Sequence, residues 1–536
     1  MEHYGLWGII PPVLTILLAF VTKDVVVSLF LGILSGALII GGGNPFIALM
    51  KLADLLAGSL ADGWNIRIFL FCALLGGLVG MLTKTGAAGS FGRWASSRLK
   101  NSRGSQFMTF VFGIIIFIDD YFNSLSVGTV MRPITDKTKV PRAKLAYILD
   151  STAAPVCIIA PISSWVVTVM SIVRDAQGFE KLGMTEFTFF IRSIPYNLYA
   201  LTTLLMVLCL IIFKRDFGPM KASEELAKTG ILYNEKKYGP VSGNVPEASQ
   251  SRAKPFDMLF PIIVLIVSAV SFFPVTTWIG AVDGESITSF GQAVTSMSLK
   301  EAFNNTDSSV ALCYSIIFTI ALTYVYYLLR RLMSLQESGE ALRDGIKSMV
   351  PALVILTMAW SIGTIIKSPR TDGGLGLGIY LSTAVREGGF PIVFLPGILF
   401  ILSALIAFST GTSWGTFGIM IPLAMPIVTG LAEGNGLPQS ALVQATMISI
   451  AAVLSGAVWG DHASPISDTT ILSSTGAGCP HLEHVATQLP YASFVAVCVL
   501  FAFFVGSIFE SLLVCWIADL ALFITGLIVL PKVIKS

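Results

Sequence analysis

The chain has 536 residues, of which 54% are hydrophobic and only 12% charged; that much apolar surface cannot be enclosed in one soluble core, so the lipid bilayer is its expected partner. A net charge of +2 offers no basic field for nucleic acid. Seven cysteines without a CxxC pair suggest neither a disulfide framework nor a metal centre.

A membrane-crossing helix needs about 20 mostly apolar residues. Measured this way, the first half predicts spans near 7–22, 25–41, 66–83, 107–130, 144–172 and 191–213. The N-terminus lacks a basic leader region, so the run from Leu6 to Thr22 is expected to remain as the first span. After a polar stretch, further spans are predicted near 257–275, 310–329, 349–366, 391–430, 441–475, 491–512 and 513–531.

Loop charge gives orientation, because Lys and Arg accumulate on the cytoplasmic side of short loops. Lys84, Arg93, Arg98, Lys100 and Arg103 mark one such loop, and Arg132, Lys137, Lys139, Arg142 and Lys144 mark the next. Both belong inside, yet a single apolar segment separates them, interrupted by Asp119, Asp120 and Asn123. A re-entrant hairpin near 107–130 resolves the conflict. Alternating sides from there puts the basic stretch 214–254 inside and the acidic stretch 276–308 outside, with the N-terminus outside and the C-terminus cytoplasmic.

The predicted fold is therefore an all-α integral membrane bundle of two inverted repeats with re-entrant hairpins and broken helices. Residues 1–213 form the first repeat, 214–256 a cytoplasmic linker, 257–512 a second repeat with its hairpin near 396–430, and 513–536 an additional C-terminal span. Two echoes support the repeat. Ser126-Val127-Gly128-Thr129 matches Ser413-Trp414-Gly415-Thr416, and Ala160-Pro161-Ile162-Ser163 matches Ser464-Pro465-Ile466-Ser467.

An ionised carboxylate near the bilayer centre costs about 2.5–3.5 kcal/mol on insertion scales, so polar groups at that depth mark the chemistry. Four clusters qualify: Asp119 and Asp120 with Asn123, Ser124 and Ser126; Asp150 with Ser151 and Thr152; Ser409, Thr410, Thr412, Ser413 and Thr416; and Asp461, His462, Ser464, Ser467, Asp468 and Thr469. Pro155, Pro161, Pro465 and the glycines at 411, 415, 456 and 460 are expected to loosen helical hydrogen bonding nearby. Hard oxygen donors of this kind suit sodium. A carboxylate in a low dielectric accepts either a proton or a cation, and that competition becomes exchange if the site faces each side in turn.

Plainer readings stand beside these. Asp119 and Asp120 could end a span at the interface; Asp150 could pair with Lys144 or Arg142; Asp461 and Asp468 could form structural ion pairs. His462 could be a packing residue, and the hydroxyls at 409–416 interhelical glue. Gly411-Thr412-Ser413-Trp414-Gly415 fits a hydrolase nucleophile pattern but lacks its strand–turn–helix setting, so no enzyme is expected. His481 and His484 are too sparse for a metal centre.

Phe117-Ile118-Asp119-Asp120-Tyr121-Phe122-Asn123-Ser124, the run Lys144 to Pro155, Gly411 to Thr416 and above all Gly460-Asp461-His462-Ala463-Ser464-Pro465-Ile466-Ser467-Asp468-Thr469-Thr470 carry a resemblance. The chain resembles the NhaC-type sodium/proton antiporters over residues 7–512. The resemblance implies an exchanger in the cytoplasmic membrane, a scaffold domain supporting a moving transport domain, and a homodimer. It implies no cofactor beyond the transported sodium and protons. Relatives with similar motifs couple these ions to small organic acids or amino acids, so a small organic solute is the alternative cargo. Intramembrane Arg and Lys to grip a carboxylate are scarce, which favours the cation alone.

Overall fold

The computed structural model describes residues 3–533 apart from 88, 91–100, 242–251, 285, 378 and 381–390. The basic positions Arg93, Arg98 and Lys100, and part of the 214–256 linker, thus lie outside the described residues. Among the described residues every regular element is helical, and eleven helices are long and apolar enough to cross a membrane. An all-helical answer follows from the solvent: in lipid each backbone N–H and C=O must be satisfied within its own segment.

The chain opens with α1 (Ile10–Thr22), α2 (Val25–Ile40), α3 (Pro45–Ala61) and α4 (Gly63–Thr85). α3 was not anticipated, because Lys51 and Asp54 interrupt its apolar run and it is shorter than a full span. The predicted hairpin segment is two helices, α5 (Ser102–Ile115) and α6 (Asp120–Lys137), parted at 116–119. The predicted span 144–172, in which Pro155 and Pro161 are expected to loosen the helix, is broken into α7 (Arg142–Thr152), α8 (Ala154–Cys157) and α9 (Ser164–Asp175). Pro155 opens α8, where its missing N–H costs nothing, and Ser163 caps α9 by accepting from Val166 N–H at 3.2 Å.

Next come α10 (Glu186–Ser193), α11 (Leu198–Phe213), α12 (Gly218–Lys228) and α13 (Glu235–Tyr238). They are followed by α14 (Pro255–Gly280), the short α15 (Phe290–Ser296) and α16 (Leu299–Asn304), α17 (Ser308–Leu329), α18 (Leu335–Ser348) and α19 (Val350–Lys367). The second interrupted stretch is α20 (Leu395–Thr410) and α21 (Ser413–Gly434). Then α22 (Gln439–Ala463) breaks at 464–467 before α23 (Asp468–Ala477), and α24 (His481–Ile508) and α25 (Leu512–Val533) close the described chain.

Two of the glycines expected to loosen a helix do something else. Gly456 and Gly460 lie inside the unbroken α22, where an added Cβ would come within 2.2 Å of Phe400 O and 2.4 Å of Ala404 O on α20. Their service is close backbone approach, the role of small residues four apart in membrane helices. Gly411 does end its helix, with φ at +71°, a conformation other residues enter at a cost.

Candidate functional site

The polar residues converge where helices are interrupted. Asp461 is buried in the last turn of α22. Its Oδ2 accepts from the Ser413 hydroxyl at 2.8 Å and from Ser413 N–H at 3.3 Å. Its Oδ1 accepts from Ser467 Oγ and, at 3.4 Å, from Thr469 Oγ1. Ser413 opens α21 and Ser467 caps α23, so the N-terminal ends of two helices meet one carboxylate. Such ends carry partial positive charge and favour an anion. The break at 464–467 removes any alignment of Asp461 with Asp468 along one helix, and among the described residues no ion pair joins Asp461 to a cationic side chain.

A second cluster adjoins it through His462. The His462 ring is held by Ser151 Oγ at 3.2 Å and the Tyr199 hydroxyl at 2.7 Å, with Tyr147 stacked at 6.3 Å. Gln488 Nε2 donates to the His462 carbonyl and, at 2.7 Å, to Asp150 Oδ2. His484 lies 3.6 Å from the same Asp150 oxygen and contacts Gln488 Oε1 at 2.8 Å and Ser474 Oγ at 2.8 Å. Asp150 therefore pairs with neither Lys144 nor Arg142: Lys144 is held by Asp216, and Arg142 by Asp136 at 3.1 Å.

Asp119 and Asp120 are buried and line a cavity of about 210 Å³ with Lys23, Asp24, Thr412 and Asp468. Asp119 caps α6 through Phe122 N–H at 3.0 Å. Asp120 is the first residue after its helix break, the position that Ser413 takes after the second. Asp468 is exposed at the cavity and accepts from the Tyr121 hydroxyl at 3.1 Å.

Other candidate residues have local partners. Asn123 Nδ2 reaches the carbonyls of Gly113, Ile116 and Thr152 at 2.6, 3.0 and 2.9 Å, clamping the first break. The hydroxyl of Thr152 bonds back to Ile148 O at 2.8 Å, that of Thr416 to Thr412 O at 3.0 Å, and that of Ser464 crosses to Phe408 O at 2.7 Å. Ser126 is half-buried, six residues into α6 from Asp120. It is therefore not at the point equivalent to Ser413, and the first echo is displaced relative to the breaks. The second echo is in register: Ser163 and Ser467 each cap the helix that follows.

Sequence reasoning missed Gln488 and Tyr199 and weighed His484 only as a metal ligand. The signal for His484 and Gln488 was a spacing of four, which puts both on one helix face.

Oxygen donors dominate the Asp461 centre: one carboxylate and three hydroxyls. These hydroxyls now donate to the carboxylate, and by rotating they could turn lone pairs toward a cation instead. The geometry allows an alkali cation and a proton to be held at the same oxygens in turn.

The chain is 39% identical over 501 residues, 92% of its length and 89% of the relative's, to an uncharacterized protein of Haemophilus influenzae. It is 33% identical over 156 residues, 29% of its length and 30% of the relative's, to the malate-2H(+)/Na(+)-lactate antiporter of Bacillus subtilis. The solved structure of Neisseria gonorrhoeae MtrF, described as illuminating a class of antimetabolite efflux pumps, covers 92% of the chain and 86% of its own at 14% identity and a TM-score of 0.49. Residues 156–507 match the Na+/H+ antiporter family, and with eleven helices able to cross a membrane among its described residues the chain belongs to that family as a multi-pass integral membrane transporter.

Proposed function

We propose that the protein exchanges sodium for protons across the cytoplasmic membrane by alternating access, with Asp461 holding the cation and the proton in turn. The observation that carries this reading is a buried carboxylate ringed by Ser413, Ser467 and Thr469, with no cationic side chain bonded to it among the described residues. A buried charge without a cationic partner is costly even with hydrogen bonds and helix ends around it, so the site alternates between a bound cation and a bound proton. The two interrupted helix pairs, α5/α6 and α20/α21, act as the hairpins of two inverted repeats, and the working unit is a homodimer with its N-terminus outside and C-terminus cytoplasmic. Asp120, Asp150 and Asp468 support the centre electrostatically, while Asn123 keeps the first break in shape.

The test is collapse of a pH gradient in proteoliposomes on addition of sodium, potassium or lithium. Sodium-dependent collapse lost in Asp461→Asn, with the variant folded, supports the reading; no response of the folded wild-type protein to any cation overturns it. A second reading has its own observation. The cavity of about 210 Å³ beside Asp120 carries Lys23 as well as carboxylates, which suits a small organic acid or amino acid, and one relative is named as a malate and lactate antiporter. In that case flux appears only when the solute is added.

A further inference from the structure

A further buried carboxylate lies outside the clusters above. Asp519, in the middle of the additional helix α25, is fully buried. Its Oδ2 accepts from Thr202 Oγ1 on α11 at 2.6 Å, and its Oδ1 has no hydrogen-bond partner among the described residues. The titratable groups that face it are Cys498 of α24 and Cys515 of α25, with Tyr196, just before α11, facing Cys515 in turn. No charged side chain of these elements is paired with it among the described residues. Near Asp519, a cavity of about 410 Å³ between α11 and α25 is lined by Leu205, Leu210, Phe523 and Leu527, with Arg215 at its margin.

A carboxylate is a poor choice as a mere bracket here. An amide would accept from Thr202 equally well and would carry no charge into apolar surroundings. What the acid adds is the capacity to bind and release a proton, and an intramembrane acid kept at a bonded position points to that use. Its connection to the exchange centre is short. Thr202 and Tyr199 are three residues apart and share a face of α11, and the Tyr199 hydroxyl lies 2.7 Å from His462 Nδ1, beside Asp461.

We propose that Asp519 is a second proton-binding site, distinct from Asp461 and coupled to it through α11. The coupling rests on the sodium–proton reading above; the proton binding does not. The experiment is infrared difference spectroscopy of the reconstituted full-length protein over a pH series, with and without sodium. The expected result is a carboxylic-acid carbonyl band that titrates, is lost in Asp519→Asn and changes frequency in Thr202→Val, where the acid stays but its bond is removed. A spectrum in which Asp519→Asn removes no such band, or a band present unchanged at every pH, overturns the proposal and leaves Asp519 as a bracket between helices. Coupling predicts that sodium alters the band in wild type but not in Asp461→Asn; a band indifferent to sodium in wild type overturns the coupling. Because the band is read without transport, its presence in protein that shows no sodium flux would discard the exchange reading and keep the proton site.

Discussion

At the scale of single residues, the Asp461 centre divides its work between charge and hydroxyls. A hydrogen bond to a charged group contributes about 1.5–3 kcal/mol, and 1.4 kcal/mol is about tenfold in an equilibrium constant. Ser467→Ala and Ser413→Ala are therefore each expected to raise the sodium concentration for half-maximal flux about ten- to a hundredfold, while leaving the protein folded. Because proton and cation compete for the same oxygens, acidification raises the sodium requirement of the wild type, and the dependence should flatten as sodium saturates. Sodium titrations of flux at several pH values check both statements. Asp461 and Ser467 were legible in the sequence because acids and hydroxyls gathered around Pro465 in an apolar run, and Ser413 because hydroxyls gathered around Gly411. Of His484, Gln488 and Tyr199 the sequence shows only the spacing of the first two, since tertiary packing alone brings each to Asp150 or His462.

At the scale of elements, the spans were readable because hydropathy reports directly on burial in lipid. The breaks were readable only in part. Pro465 and a polar quartet foretold the interruption at 464–467, and Pro155 and Pro161 foretold loosening within 144–172, where the structure is split by the turn at Ala153 and the stretch before Ser163. Gly456 and Gly460 show the failure: composition reads them as weak points, whereas their neighbours on α20 use them for close contact. Gly456→Val is expected to force α20 and α22 apart, since overpacking costs about 1–3 kcal/mol. Thermal unfolding of detergent-purified protein should show the loss, and the milder Gly456→Ala should show less.

For the whole molecule, the important contacts join distant parts of the chain. Ser151 meets His462 across 311 residues and Gln488 meets Asp150 across 338. At a synthesis rate of about 5–20 residues per second, Asp150 waits roughly tens of seconds in the membrane before its partner exists. During that interval Asp119, Asp120 and Asp150 lack much of the second half that later buries them. The early helices must therefore be retained by the insertion machinery, or stay shielded against one another, until α24 arrives. A chain stopped after α19 should be cleared by membrane proteases far faster than the full-length protein in a pulse-chase experiment, and replacing all three acids with Asn should slow that clearance. The polar interior that serves transport in the finished protein is, while the ribosome is still at work, an obligation laid on the cell's quality-control system.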